Sequence, residues 1–187
     1  MRTLVAVIVI LVISSAIVYI LVGGSPKSGE TINFSSAKMI LKSSAFKPNE
    51  SIPPKFTCDG DNVSPLMELR EVPALTKSLV LIMDDPDATG GVTWDHWLLY
   101  NIDPKTQYID EDSIPFGARR GKNGWGNAKY GGPCPPKNSK PHRYMFKLYA
   151  LDVALNLAEG TAKAELEKAM EGHILDQTTL IGLYQRK

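Results

Sequence analysis

No block of like charge occurs anywhere in this chain, whose 21 Lys and Arg stand against 20 Asp and Glu. A nucleic-acid footprint needs clustered basic residues, so that class of partner is excluded, although a compact anion site is not. No Gly-x-Ser-x-Gly motif occurs, and no serine sits in a recognisable activated setting, which removes the usual serine nucleophile. Histidine is scarce at three residues, and none of the tight i, i+3 or i, i+4 spacings of metal-ligand motifs is present. No metal and no cofactor is therefore expected. Two cysteines, Cys58 and Cys134, permit one disulfide in an oxidising compartment; two separate buried thiols are the alternative.

Only one long apolar run exists, from Leu4 to Val22, interrupted by Ser14, Ser15 and Tyr19. At about 1.5 Å per residue it is long enough to cross a bilayer core as a helix. Arg2 precedes it, while Lys27 offset by Glu30 follows, which favours a cytoplasmic amino terminus and an exported remainder. The expectation is a single-pass protein of the cell membrane with its C-terminal domain outside. Secretion after signal cleavage beside Gly23, Gly24 or Ser25 is the alternative. Residues 1–24 are thus read as anchor or signal peptide, 25–37 as a linker rich in Gly, Ser and Lys, and 38–187 as one domain.

Within that domain, weak strand character runs from Met39 to Ile52. The apolar run Ser78–Met83 suits a strand covered on both faces and stops at Asp84. Thr93 to Ile102 is aromatic and branched, again strand-like, and Tyr108 to Asn127 reads as a long loop holding one short strand. From Arg143 to Leu151, Tyr144, Phe146, Leu148 and Ala150 alternate with Met145, Lys147 and Tyr149, the period of a half-buried strand. One helix is expected after Thr161 as cap, on Ala162, Leu166, Ala169 and Met170, with Gly172 as its stop. Ile174 to Gln185 returns as a final strand. Short strands, frequent turns and one late helix predict a mainly β, antiparallel β-sandwich of Greek-key type.

Chemistry concentrates in three segments. Asp85 and Asp87 flank Pro86 just beyond an apolar strand, and on extended backbone i and i+2 point the same way. His96 lies between Trp94 and Trp97. The turn Gly131-Gly132-Pro133-Cys134-Pro135-Pro136 leads to His142 and Tyr144, which share a strand face. Together they suggest a polar pocket in which neighbouring carboxylates hold an imidazole charged and turn N–H groups complete an anion cradle. The same His and Asp residues would also serve a metal-dependent hydrolase.

These motifs, with Asn101-Ile102, Gly121-Lys122-Asn123 and the ending from Gly172 to Tyr184, resemble the phosphatidylethanolamine-binding protein family, in its bacterial and archaeal Raf-kinase-inhibitor-like branch. The resemblance spans about Met39 to Arg186. It implies a β-sandwich with an anion pocket at one end, lined by Asp85, Asp87, His96, Gly132, His142 and Tyr144. The implied ligands are phosphate-bearing head groups, phospholipid head groups among them, or small anions. It also implies a non-enzymatic binding or inhibitory role, so an extracellular protease is a second possible partner, met through the loop from Ile109 to Gly121. Thr89 replaces the proline expected after Asp-Pro-Asp-Ala, and Leu69 takes a tryptophan position.

Overall fold

Strand pairing is antiparallel between all neighbouring strands of the two sheets that make up this computed structural model, which describes residues 38–187. The expected anchor or signal peptide at 1–24 and the linker at 25–37 lie outside the described residues. Among the described residues no helix is long and apolar enough to cross a membrane.

The small sheet contains β1 (Ile40–Ser43), β2 (Met67–Arg70) and β5 (Tyr108–Ile109), in that order. The large sheet runs β6 (Arg119–Arg120), β4 (Trp94–Ile102), β3 (Ser78–Asp85), β7 (His142–Leu151) and β8 (Ile174–Tyr184). A Greek key would order four successive strands 4-1-2-3. The four long strands of the large sheet instead read 2-1-3-4, which corrects the Greek-key expectation for this sheet. The reason is the connection through residues 103–141, which lays β6 along the outer side of β4 and leaves only the free side of β3 for β7.

Burial follows the side-chain period. Leu79, Leu81 and Met83 of β3 join Trp97, Leu99, Phe146 and Leu148 in a core shared with Leu41, Met67, Leu69 and Ile109 of the small sheet. Val80 and Ile82 face the other way, against Leu98, Tyr100, Leu166 and Met170. The central strand β3 is therefore buried on both faces, as its unbroken apolar run predicts. Each such leucine contributes about 1.5–3 kcal/mol by burial. The second face is covered by α1 (Lys163–Met170), whose Leu166 and Met170 lie one turn apart.

Local chemistry shifts the edges of these elements. Thr161 does not cap the helix N-terminus as predicted. Ala162 occupies that position, and the Thr161 hydroxyl donates to Glu165 Oε2 at 2.8 Å. Gly172 turns the chain out of the helix at a positive φ of 78°, the backbone region that glycine enters without a Cβ clash. The expected Met39–Ile52 strand ends at Ser43, where Ser43 Oγ bonds Leu66 O and receives Ala45 N–H. Residues 49–52 then run beside β8, with Ile52 N–H on Leu183 O at 2.7 Å. The predicted loop from Tyr108 holds two short strands, β5 and β6, and not one.

Candidate functional site

At one end of the large sheet, a cavity of about 210 Å³ opens between the ends of β3, β4 and β7. Its polar floor is made by Asp85, His96, His142 and Tyr144, and Trp94, Trp125 and Pro135 are among its walls. The volume is small beside the usual range of drug-sized pockets and suits a small head group or ion.

Asp85 is the last residue of β3 and shares the inward face of Met83. Its Oδ2 lies 2.8 Å from His142 Nδ1, with the two side chains only 5 % and 8 % exposed. A carboxylate accepts and does not donate, so Nδ1 of His142 carries a proton and Nε2 is the nitrogen left for a ligand. Asp85 Oδ1 also accepts the Asp87 N–H at 2.8 Å, which closes the turn around Pro86.

His96 reaches the cavity through a break in the strand period. Met83 pairs with Trp97 and Asp84 with Asp95, so His96 is an extra residue in β4 opposite no partner in β3. Such a bulge re-aims side chains. Here His96 and Trp97 both end inside, while Asp95 is turned to the helix-covered face. His96 Nδ1 donates to Gly131 O at 2.6 Å, and its ring meets Trp125 and Tyr144 edge-on at 5.2 and 5.1 Å. Burial pushes the His96 pKa below the ordinary range, although the Gly131 carbonyl and the Asp85 charge work the other way. The expectation that carboxylates keep an imidazole charged is therefore corrected for His96, because desolvation outweighs them.

Tyr144 is fully buried and its hydroxyl has no partner at hydrogen-bonding geometry, with Asp85 and the Cys134 backbone as neighbours. Burial, then the Asp85 charge, raise its pKa, so it remains a donor. An unsatisfied buried hydroxyl costs about 1–3 kcal/mol, which a ligand oxygen would recover.

Two expected residues are placed elsewhere. Asp87 does not line the cavity. Its carboxylate accepts Arg143 Nε at 2.8 Å, Nη2 at 2.7 Å and the Arg143 backbone N–H at 2.9 Å, which ties the β3–β4 loop to β7. Arg143, by its hydrogen bonds to Asp87, pulls the carboxyl down to about 2. The backbone N–H of Gly132 donates to Asn62 Oδ1 at 2.7 Å, and that of Gly131 to His96 O at 3.0 Å. Both glycine N–H groups are used within the protein, so Gly132 has a packing role and the glycines do not supply the expected cradle. Gly132 is glycine because a Cβ there would stand 2.4 Å from Phe56 O.

Cys58 and Cys134 are joined by a disulfide, with Cα atoms 5.4 Å apart, which resolves the open choice between bridge and separate thiols. The bridge clamps the Gly131–Pro136 turn to residues 54–62, and Cys134 itself lines the cavity. Sequence reasoning missed Trp125 and the wall it forms. Its loop is organised by buried Asn123, whose Oδ1 accepts the N–H groups of Trp125 and Asn127 and whose Nδ2 donates to Lys129 O. The Gly121-Lys122-Asn123 motif was the available signal. Among the described residues, no three His, Cys, Asp or Glu side chains gather as a metal-ligand set.

Comparison with known proteins bears on residues 42–185, which match the family model described as phosphatidylethanolamine-binding protein. A UPF0098 protein of Pyrococcus horikoshii is 46 % identical over 157 residues, covering 80 % of this chain and 79 % of its own length. Among solved structures, a phosphatidylethanolamine-binding protein homologue from Chlamydia trachomatis is 41 % identical with a TM-score of 0.76, covering 80 % of this chain and 99 % of that one. The E. coli protein YbcL is 30 % identical with a TM-score of 0.76, over 81 % of this chain and all of its own.

Proposed function

The chain belongs to the phosphatidylethanolamine-binding protein family, and we propose that it is a non-enzymatic binding protein whose sheet-end cavity receives a phosphate-bearing head group or a similar small anion. The observation that carries this reading is the buried Tyr144 hydroxyl, which has no partner at hydrogen-bonding geometry and lines one cavity with His96 and His142, whose protein hydrogen bonds use Nδ1. Three polar groups are thereby held for a ligand that the protein itself does not satisfy. Asp85 fixes His142 and Gly131 fixes His96, so little ordering remains to be done on binding. The disulfide supports an exported domain, since such bonds persist in oxidising compartments. A head group presented at the outer face of a membrane is then a natural ligand.

Calorimetric titration with O-phosphoethanolamine and with inorganic phosphate tests this, with Tyr144→Phe and His142→Ala as variants. Saturable binding that weakens in both variants is the expected result. A folded wild type that binds neither compound removes the reading.

A second reading, an extracellular serine protease inhibitor, draws on one observation. Phe116, in the loop between β5 and β6, is fully exposed and follows the partly exposed Ile114. A panel of secreted proteases with Phe116→Ala as control separates it from head-group binding. The hydrolase reading has less support, because Asp87 is committed to Arg143 and the cavity keeps only Asp85 of the two carboxylates.

A further inference from the structure

Behind the cavity, on the helix-covered face of the large sheet, four charges meet. Fully buried Asp84 accepts Lys147 Nζ and Lys163 Nζ on its Oδ2, each at 2.7 Å. Lys163 Nζ also stands 2.9 Å from Asp95 Oδ1, with Glu167 farther off at 4.0 Å. Asp84 and Asp95 are direct cross-strand partners, an arrangement in which like charges repel unless a cation lies between them. Lys163 supplies that cation from the first turn of α1, whose position is fixed by buried Leu166 and Met170. Burial opposes its charge, but the hydrogen bond it donates to Asp84 and the nearby Asp95 carboxylate outweigh burial and keep the ammonium protonated.

The bulge connects this cluster to the cavity. A bulged residue lies outside the ladder, so strand pairing alone does not fix its direction. Asp95 and His96 are successive residues at that break, one anchored outside the sheet by Lys163 and the other inside by Gly131 O. The two anchors pull in opposite directions across the sheet. The backbone at the break is held by Gly124 N–H on Asp95 O at 2.8 Å and Gly131 N–H on His96 O at 3.0 Å. Loss of the outer anchor therefore frees the Asp95 side chain and loosens the bulge without releasing it.

We propose that Lys163 is a positioning residue for ligand binding, which holds Asp95 and thereby fixes the bulge that turns His96 into the cavity. Lys163 is far along the chain and touches no cavity residue by hydrogen bond; its contacts reach the cavity through Asp95, which precedes His96, and through Asp84, which precedes Asp85. The inference rests on the anion-site reading, and its test is read in two independent ways.

The first readout needs no ligand. The ring ¹⁵N resonances of His96, one of three imidazoles in the chain, report whether the proton stays on Nδ1. Wild type and Lys163→Arg are expected to show the Nδ1–H form alone, whereas Lys163→Met and Asp95→Ala show a mixture of tautomers. The second readout is titration with inorganic phosphate. Lys163→Met and Asp95→Ala should each weaken binding about tenfold, and the double variant should be no worse than either, as expected for two members of one linkage. A purely electrostatic role would instead restore affinity in the double variant, and that result overturns the proposal. So does a Lys163→Met protein with the wild-type His96 spectrum. If wild type binds no phosphate, the anion-site reading fails while the tautomer spectra still decide the role of Lys163. Asp95→Ala leaves Lys163 on Asp84, so it serves where Lys163→Met fails to fold.

Discussion

Asp85 Oδ2 and His142 Nδ1 face each other at 2.8 Å in a setting that is more than nine-tenths buried. The pair brings the end of β3 and the start of β7 to one point and leaves His142 Nε2 facing the cavity. Removing the carboxylate strands a buried N–H donor. Asp85→Ala is therefore expected to lower stability by about 1–3 kcal/mol and to abolish phosphate binding. Asp85→Asn keeps an acceptor oxygen and should lose less of both. Urea unfolding and calorimetry on the two variants check this, and equal behaviour of Asn and Ala would mean that the hydrogen bond does not orient His142.

Asp87 leads to a pH dependence. Arg143 lowers its pKa from the ordinary 3.8 to about 2 in the folded protein. A depressed carboxylate contributes stability that is present above its unfolded pKa and lost as pH falls through the folded one. The window is therefore pH 4 down to pH 2. The side chain is 30 % exposed and its partner 53 %, so solvent screening reduces the contribution to about 1 kcal/mol. Asp87→Asn should cost that much at pH 6 and almost nothing at pH 2. Because Asp87 is off the cavity, its phosphate affinity should stay near wild type.

The sequence carries much of this fold because its periods are clean where packing is simple. The apolar run Leu79–Met83 in β3 and the alternation in β7 match burial, while Asp84 and Asp85 extend β3 past that run as buried carboxylates. Four of the six expected site residues, Asp85, His96, His142 and Tyr144, line one cavity. The other two were diverted by partners distant in the chain, Arg143 for Asp87 and Asn62 for Gly132, and side-chain spacing does not encode such partners. The bulge at His96 was hidden for a related reason. One extra residue leaves composition unchanged and appears only as a shift in register between two strands.

The Cys58–Cys134 bridge closes a span of 76 residues, from the 3₁₀ turn at Pro54–Phe56 to the cavity rim. In the chain-entropy account a loop of that size constrains the unfolded chain by about 4 kcal/mol, and measured losses on removing such bridges centre near 2–4 kcal/mol. The paired variant Cys58→Ser with Cys134→Ser should unfold at lower denaturant by about that amount. It should also bind phosphate more weakly, since Gly131 O anchors His96 from the same turn. Weaker stability with unchanged affinity would confine the bridge to a purely structural role.

The neutral state of His96 makes binding a proton-linked event. Its Nδ1–H is spent on Gly131 O, and burial keeps the ring uncharged, so Nε2 presents a lone pair to the cavity. A bare anionic oxygen placed there would meet repulsion. The ring must therefore take up a proton as the anion enters, which stabilises the imidazolium by the new charge. Sulfate isolates this step, because it carries no titrating proton near neutral pH. Calorimetry of sulfate binding in two buffers of different ionisation enthalpy should show proton uptake by the protein, with affinity rising as pH falls from 8 to 6. His96→Gln should reduce both the uptake and the slope, while Asp87→Asn should leave them intact. Sulfate binding whose proton uptake and pH slope are unchanged in His96→Gln would take His96 out of the site.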